Sequence, residues 1–369
     1  MVMAKMKNRK KIGILTGGGD CPGLNAVIRA VTKTAINEYG FEVIGFKDGY
    51  EGLVENRFQK LSFMAASGIM SQGGTILGTS NKANPFSYPV KKNGKILHKD
   101  LSDIALKNYK KNRLDALICT GGDGTLSIAY KLYKKGINVI GIPKTIDNDV
   151  NFTDTTSGFD SAVVIATDAI DKLQTTAQSH HRVMIVEVMG RYAGWLGLCS
   201  GIAGGADIIL IPEIPFEIKK ICRRVLDRSR GSGKKFSIIV VSEGAKPKDG
   251  EMVVKKIVTD SPDPIRLGGI GNCVAAQIEK ITGLEVRVTV LGHIQRGGSP
   301  TAYDRILATK FGCEAVRFVA EKNFGKMVAL NGWKITPVEI EKAIKSLKKV
   351  SPDSHLVRYA RSVGTSFGD

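Results

Sequence analysis

Short runs of uniformly apolar residues alternate with amphipathic segments along most of this chain. KIGILT at residues 11–16 predicts a buried strand, whereas LNAVIRAVTKTAI (24–36) and SAVVIATDAIDKL (161–173) carry apolar residues at helical spacing. Further strand candidates are EVIGF, ALICT, NVIGI, VMIVEV, DIILIP, FSIIVV and VRVTVL. Strands that are apolar on both faces are typical of parallel sheets covered by helices. The pattern predicts an α/β fold with mostly parallel sheets and with ligands at the carboxyl ends of the strands.

The length of the chain and one internal similarity bear on its domain organisation. With 369 residues the chain is too long for one small core and suits two domains of ordinary size. The segments ILTGGGD (14–20) and LICTGGDG (117–124) both run from an apolar strand through threonine and glycines to aspartate. Since no low-complexity linker separates two halves, we expect two interleaved Rossmann-like domains with the active site in the cleft between them.

The net charge of +19 invites the hypothesis of nucleic-acid binding. No recognised binding module or platform of interleaved aromatic and basic residues accompanies this charge, so nucleic acid is not an expected partner. We interpret the runs KNYKKNR (107–113) and KAIKSLKK (342–349) as solvated helix faces. A small, highly anionic substrate is a further explanation of the positive charge.

Several features of the sequence favour a cytoplasmic protein. No apolar run approaches the ~20 residues of a membrane span, so no membrane association is expected. The basic start, MVMAKMKNRKK, leads into too short an apolar run for a signal peptide and is interpreted as a solvated arm. Six scattered cysteines without a CxxC pair predict reduced thiols rather than disulfides or metal ligands.

Two glycine-rich turns are candidate phosphate sites. Glycines at a strand end let a ligand approach the backbone, and the following helix offers free N–H groups, so Gly18 and Gly19 are expected to face a phosphate. Such a turn is weak evidence by itself, because many only connect a strand to a helix. The turn GGDGTLS (121–127) is more specific, since the carboxylate of Asp123 would repel a phosphate unless Mg²⁺ lay between them.

This second turn is not a Walker loop, because it lacks GK[ST]. It resembles the GGDG(T/S) turn that phosphofructokinases, NAD kinases and diacylglycerol kinases share, which leaves the phosphoryl acceptor open. Its candidate residues for donor and metal binding are Gly122, Asp123, Gly124 and Thr125.

The segment PKTIDND places Asp147 and Asp149 two positions apart, directly after a buried strand. On an extended chain two such carboxylates point to the same side. Near a magnesium-bound phosphate, one could accept the proton of a substrate hydroxyl while the other holds geometry or metal. The alternative is an Asx-turn in which Asp and Asn side chains cap the backbone.

Further motifs decide between these interpretations. They follow in order as TTSGFDSA (155–162), VEVMGRYAGWL (186–196), VVSEGA (240–245) and VLGHIQRGGSPTAYDR (290–305). From KIGILTGGGD to about residue 320 the chain resembles the 6-phosphofructokinases. The resemblance implies transfer of a phosphoryl group from Mg²⁺-bound ATP to the 1-hydroxyl of fructose 6-phosphate.

The resemblance also implies roles for individual residues. Asp147 is the expected base, with Thr145 and Asp149 beside it, and Arg191 is expected over the transferring phosphoryl group. The residues expected at the sugar are Thr145, Ile146, Asp147, Met189, Gly190, Arg191 and Glu243. Those expected to grip the 6-phosphate are Arg182, Arg287, His293 and Arg296, two of which would reach across from a neighbouring subunit. A homo-oligomer, dimer or tetramer, is therefore expected.

The identity of the phosphoryl donor depends on two positions. Within the family, pyrophosphate users resemble each other in having Asp after GGD and Lys before TIDND, whereas this chain has Gly124 and Lys144. Gly124 leaves a path for the α-phosphate, which favours ATP, whereas Lys144 would hold a phosphate of either donor. This combination resembles the mixed-substrate branch of the family, whose members with Gly resemble ATP users. Asn81 stands where ATP users usually have Arg, and Lys82 is expected to substitute for that charge. A pyrophosphate-dependent enzyme, or a kinase of a related sugar or nucleoside phosphate, is the alternative.

The expected domain boundaries follow the same resemblance. Residues 1–158 with 295–345 are expected to form the nucleotide and magnesium domain. Residues 159–294 with 346–369 are expected to form the sugar-phosphate domain.

Overall fold

A computed structural model describes residues 9–92, 95–230, 234–257 and 265–369. Residues 1–8 of the expected basic arm lie outside the described residues. The strands are β1 (Lys11–Thr16), β2 (Glu42–Phe46), β3 (Phe58–Lys60), β4 (Tyr88–Lys92), β5 (Lys95–Lys99), β6 (Ala116–Gly121), β7 (Val139–Pro143), β8 (Val183–Val188), β9 (Ile208–Leu210), β10 (Ser237–Ser242), β11 (Val254–Ile257), β12 (Ile265–Leu267), β13 (Val286–Val290), β14 (Lys326–Asn331) and β15 (Lys334–Glu339). The helices are α1 (Leu24–Tyr39), α2 (Tyr50–Glu55), α3 (Ser102–Lys111), α4 (Asp123–Lys134), α5 (Phe159–His180), α6 (Trp195–Ala203), α7 (Ile218–Arg230), α8 (Ile270–Thr282), α9 (Ala302–Ala320), α10 (Ile340–Ala343) and α11 (His355–Ser362).

The larger sheet has seven strands in the order β15-β14-β7-β6-β1-β2-β3. Its inner neighbours pair in parallel, and the outermost pairs, β14-β15 and β2-β3, are antiparallel. Helices α1 and α9 cover one face around Ile12 and Ile14, while α2, α3, α4 and α10 cover the other around Leu15 and Leu117. Burial on both faces explains why the inner strands are uniformly apolar.

The smaller sheet has four strands in the order β13-β8-β10-β9, and all of its pairs are parallel. Helices α5, α6 and α11 pack on one face and α7 and α8 on the other. The predicted α/β fold with mostly parallel sheets is confirmed. The sequence pattern missed the short edge strand β3 and the antiparallel pairs β4-β5, β11-β12 and β14-β15.

The chain crosses between the two sheets more than once. After the strands of the smaller sheet, α9 returns to pack against α1, and β14 and β15 join the larger sheet. The chain then passes back to the smaller sheet, where Val357, Ala360 and Phe367 enter its core. The two Rossmann-like units are therefore interleaved, and the domain boundaries themselves stay a prediction.

Among the described residues, no helix combines the length and apolar character that a bilayer crossing requires. The run KNYKKNR has exposed basic residues in and just after α3, as expected. The interpretation of KAIKSLKK as a helix face is wrong, because α10 ends at Ala343 and the chain then leaves the helix. Lys348 in this run is partly buried.

Candidate active site

The two glycine-rich turns lie side by side, because β1 and β6 are parallel neighbours and end at the same edge of the sheet. The N–H of Gly17 donates to the carbonyl of Thr120 over 2.9 Å, which joins the two turns directly. Gly18 has a φ of 76°, a left-handed conformation that glycine adopts without strain. The carbonyl of Gly18 accepts a 2.6 Å hydrogen bond from Thr79 Oγ1, which fixes the turn. The paired turns offer backbone that a phosphate can approach closely.

Helix α4 begins at Asp123, directly after the second turn. Within the described chain its N-cap residue, Gly122, provides no side-chain cap, so the first N–H groups of α4 suit an anion. Gly124 lies in this first turn, where a Cβ would meet no heavy atom of the described residues within 4 Å. Its backbone does not adopt the left-handed conformation that would require glycine. Gly124 therefore leaves open space beside the N-terminus of α4.

Lys144, which follows β7, is buried against the first glycine turn. Its ammonium donates to the carbonyl oxygen of Gly17 over 3.2 Å and to that of Gly19. Burial is the main cause that lowers the pKa of Lys144. In this structure the lysine organises the glycine turn, and its contact with a donor phosphate stays a prediction.

The expectation of an extended chain through Asp147 and Asp149 is wrong. Asn148, between them, has a φ of 51°, which belongs to the left-handed region. Its side-chain oxygen accepts a 3.1 Å hydrogen bond from the N–H of Thr156, and Thr145 Oγ1 accepts one of 3.1 Å from the N–H of Asp147. The segment is a turn held by its own polar side chains, as the Asx-type alternative describes.

The two carboxylates on this turn are nevertheless close neighbours, and both residues are half-buried. Burial is the main cause that raises the pKa of each, and the charge of Asp147 raises the pKa of Asp149 further. The guanidinium groups of Arg296 and Arg191 oppose the rise at Asp147. Among the described residues neither Oδ1 atom has a hydrogen-bond partner, although both atoms are buried. Such oxygens are costly unless a ligand satisfies them, so the turn is a candidate contact for a substrate hydroxyl.

Asp123 is the residue that the sequence predicts for magnesium. Its charge raises the pKa of both Asp147 and Asp149, so the three carboxylates share one region at the ends of β6 and β7. In the described ranges, no group of three or more His, Cys, Asp or Glu side chains could hold a metal ion on its own. Mg²⁺ commonly binds one or two carboxylates together with substrate phosphates, so the residues present fit an ion that arrives with a nucleotide.

The loop after β8 brings Met189, Gly190 and Arg191 to the same region. The N–H of Gly244 donates to the carbonyl of Gly190 over 3.1 Å, which places this loop beside Glu243. The φ of Gly190 is 129°, and a Cβ there would lie 3.0 Å from the carbonyl oxygen of Ala193 and 3.4 Å from Ser242 Oγ. Glycine is therefore needed at this position for the close approach of the two loops.

Glu243 completes the group of acids around Arg191. Burial, and after it the charge of Asp147, raise the pKa of Glu243 to about 7, while Arg191 opposes the rise. Since Arg191 lowers the pKa of both acids, its guanidinium lies within Coulombic range of each. One cation thus stands near the candidate base and near the acid predicted to hold the sugar.

The four residues predicted to grip the 6-phosphate divide into two pairs. Arg182 and Arg287 lie at the amino ends of β8 and β13, and both form ion pairs with Glu285. His293 and Arg296 follow the carboxyl end of β13. A strand of this length spans ~17–20 Å, so a single chain brings Arg296 near the carboxylates but not Arg182 or Arg287.

Arg296 lies against the first glycine turn. Its Nη1 donates to the carbonyl of Asp20 over 3.0 Å. Of the nearby charges, that of Arg296 lowers the pKa of Asp147 the most. The adjacent Gln295 is fully buried, accepts a 3.4 Å hydrogen bond from the N–H of Met189 and donates to the carbonyl of Gly292 over 3.1 Å. Sequence reasoning did not identify Gln295, although its position directly before Arg296 was a signal.

Two further predicted residues have less direct positions. Ile146 is buried in a small core with Leu24 and Leu196, so its side chain is not available to a ligand and a substrate contact would use its backbone. Lys82 is exposed, and its N–H donates to Ser80 Oγ over 3.3 Å. Its substitution for the arginine of ATP users stays a prediction.

The sequence of the chain is similar to those of known proteins. Residues 11–319 match the family model described as Phosphofructokinase. The chain is 59% identical to ATP-dependent 6-phosphofructokinase 2 of Clostridium perfringens, over 99% of its own length and 100% of the relative. It is 50% identical to pyrophosphate–fructose 6-phosphate 1-phosphotransferase of Streptomyces coelicolor, over 97% of this chain and 100% of that one.

A solved structure extends the comparison to the fold. The T-state crystal structure of phosphofructokinase from Pichia pastoris matches with a TM-score of 0.77 and 34% identity. The match covers 92% of this chain and 36% of the Pichia chain, so this chain spans about a third of that protein's length.

Proposed function

Because the chain belongs to the phosphofructokinase family, we propose that it transfers the γ-phosphoryl group of ATP to the 1-hydroxyl of fructose 6-phosphate. The observation that carries the proposal is the meeting of three elements in one region. These are the N-terminus of α4 with Asp123, the carboxylate of Asp147, whose Oδ1 has no partner among the described residues, and the guanidinium groups of Arg191 and Arg296.

The half-buried carboxylate of Asp147 suits a general base. Burial raises its pKa, which makes the carboxylate a stronger base than an exposed aspartate, and the two arginines oppose the rise. Asp147 would accept the proton of the 1-hydroxyl as that oxygen attacks phosphorus. The guanidinium of Arg191 would stabilise charge on the transferring group. A magnesium ion bound at Asp123 would neutralise charge on the donor phosphates.

ATP is the proposed donor for two reasons. Open space at Gly124 leaves room for a phosphate beyond the pair that pyrophosphate contains. The relative at 59% identity is named for ATP, whereas the one at 50% is named for pyrophosphate. Lys144 is engaged with the carbonyl groups of the glycine turn, so its presence does not by itself favour pyrophosphate.

The test is direct. The purified chain is assayed for fructose 1,6-bisphosphate with fructose 6-phosphate, Mg²⁺ and either ATP or pyrophosphate. We expect kcat/KM with ATP to exceed that with pyrophosphate by at least tenfold. A preference for pyrophosphate would contradict the donor assignment, and absence of product with both donors would refute the proposed reaction.

We also propose a cytoplasmic homo-oligomer with shared active sites. The support is the position of Arg182 and Arg287, at the opposite end of the strands from the carboxylates. Mixing inactive Arg182→Ala and Asp147→Asn subunits after co-refolding tests this arrangement. Hybrid oligomers would regain part of the activity if the site is shared, whereas sites built from one chain would give no recovery.

A further inference from the structure

Lys348 binds the turn that carries the two candidate carboxylates. Its ammonium donates to Asn148 Oδ1 over 2.9 Å, to the carbonyl of Thr153 over 2.8 Å and to that of Asp154 over 2.9 Å. An ammonium has three N–H donors, so each is matched by one acceptor. The backbone N–H of Lys348 also donates to the carbonyl of Asp149 over 2.8 Å. All of these acceptors belong to residues 148–154.

The contact with Asn148 holds a left-handed backbone conformation. Asn148 has a φ of 51°, in the left-handed region, which asparagine enters more readily than most residues and in which its hydrogen bonds hold it. Its Oδ1 is shared by Lys348 Nζ and the N–H of Thr156. Because Asn148 lies between Asp147 and Asp149, this conformation sets the directions of both carboxylates.

The same short segment is bound to the loop of Arg191. The carbonyl of Lys348 accepts a 2.8 Å hydrogen bond from Trp195 Nε1, and its ammonium lies 5.6 Å from the centre of the Trp195 ring. The carboxylate of Glu213 accepts from the N–H of Val350 over 2.8 Å and from that of Gly194 over 3.0 Å. Residues 348–350 therefore contact both the carboxylate turn and the end of the MGRYAGW segment.

We infer that Lys348 is a positioning residue, which with residues 349–350 fixes the turn of Asp147 relative to the loop of Arg191. The inference rests on the proposed function, in which these two side chains act on opposite parts of one reacting group. A displacement of ~1 Å between such groups can reduce turnover about 100-fold. Lys348 touches neither glycine turn nor Arg296 in any described contact, so substrate affinity should depend on it much less.

The test compares Lys348→Met with Lys345→Met, an exposed lysine of the same run. Methionine keeps the apolar stem and removes the three donors. We expect Lys348→Met to lower kcat by about 10–100-fold while the KM values for ATP and fructose 6-phosphate change less than about threefold. Lys345→Met should match the wild type in all three constants.

A chemical rescue separates positioning from general damage to the fold. Lys348→Cys treated with 2-bromoethylamine carries an aminoethyl thioether that restores the ammonium at nearly the original length. We expect this treatment to recover at least a third of the lost kcat, and wild type treated in parallel controls for the other cysteines. A kcat within threefold of wild type in Lys348→Met, or no recovery after aminoethylation, would overturn the inference.

Hydrogen exchange separates failure of the inference about Lys348 from failure of the proposed reaction. If wild type makes no product, the proposed function fails, but the hold of Lys348 on the turn of residues 148–154 can still be measured. The amide of Thr156, bonded to Asn148 Oδ1, should exchange at least tenfold faster in Lys348→Met than in wild type or Lys345→Met. Equal protection in the three proteins would show that Lys348 does not hold the turn.

Discussion

Gly124→Asp is expected to abolish efficient use of ATP without harming the fold. A Cβ at this position meets no heavy atom of the described residues within 4 Å, and the backbone does not require glycine. The position lies in the first turn of α4, where an acidic side chain gains ~0.3–1 kcal/mol from the helix dipole. The neighbouring charge of Asp123 offsets part of this gain, so we expect the unfolding midpoint to stay within a few degrees of wild type.

The loss of activity follows from charge repulsion. A carboxylate at position 124 would occupy the open space beside the N-terminus of α4, where the α-phosphate of ATP is expected. Two unit charges at ~4 Å repel by about 4 kcal/mol at an effective dielectric constant of 20. At 1.36 kcal/mol for each factor of ten, this corresponds to a 100- to 1000-fold fall in kcat/KM for ATP. Pyrophosphate does not reach this region and should be spared.

The assay is kcat/KM for ATP and for pyrophosphate, at saturating fructose 6-phosphate and Mg²⁺, in wild type and variant. Gly124→Asn is the matched control, since it has the same size as aspartate without the charge. We expect the Asn variant to lose less ATP efficiency than the Asp variant by at least tenfold. If Gly124→Asp keeps its ATP efficiency, or if both variants lose it equally, the electrostatic explanation is refuted.

Three further predictions concern the acids and the arginine near the reacting group. Asp147→Asn should lower kcat about 100- to 10,000-fold and leave fructose 6-phosphate binding nearly intact, as equilibrium binding and turnover would show; a fall below tenfold would exclude it as the base. Arg296→Ala should raise the KM for fructose 6-phosphate more than it lowers kcat, and an unchanged KM would remove it from the phosphate site. The same variant should move the acid limb of the pH–rate profile to higher pH, since the charge of Arg296 lowers the pKa of Asp147. Glu243 has a pKa of about 7 in the folded chain against 4.5 ordinarily, so the native state binds the extra proton between these values and stability falls as pH rises through that window. Glu243→Gln should therefore raise the unfolding midpoint more at pH 8 than at pH 4.5, and an equal effect at both would contradict the pKa.

Much of the fold and the chemistry of the candidate site could be predicted from local sequence. Strands β1, β6 and β8 are uniformly apolar because both of their faces are buried, so the residue types alone predict their burial. The glycine turns can also be predicted from local sequence, since the left-handed conformation of Gly18 is one that glycine adopts without strain. Residue types thus indicated a phosphate site, a candidate base and the sheets that carry them.

The tertiary structure alone decided how these parts are held. Lys144 donates to the carbonyl of Gly17 across 127 positions of the chain, and Lys348 donates to Asn148 across 200. In sequence, both are ordinary lysines, and Lys348 stands in a run that reads as a solvated helix face. Whether an ammonium faces water or three protein acceptors depends on which oxygens the folded chain brings beside it. No local pattern encodes that, because the partners become neighbours only when distant parts of the chain fold against each other.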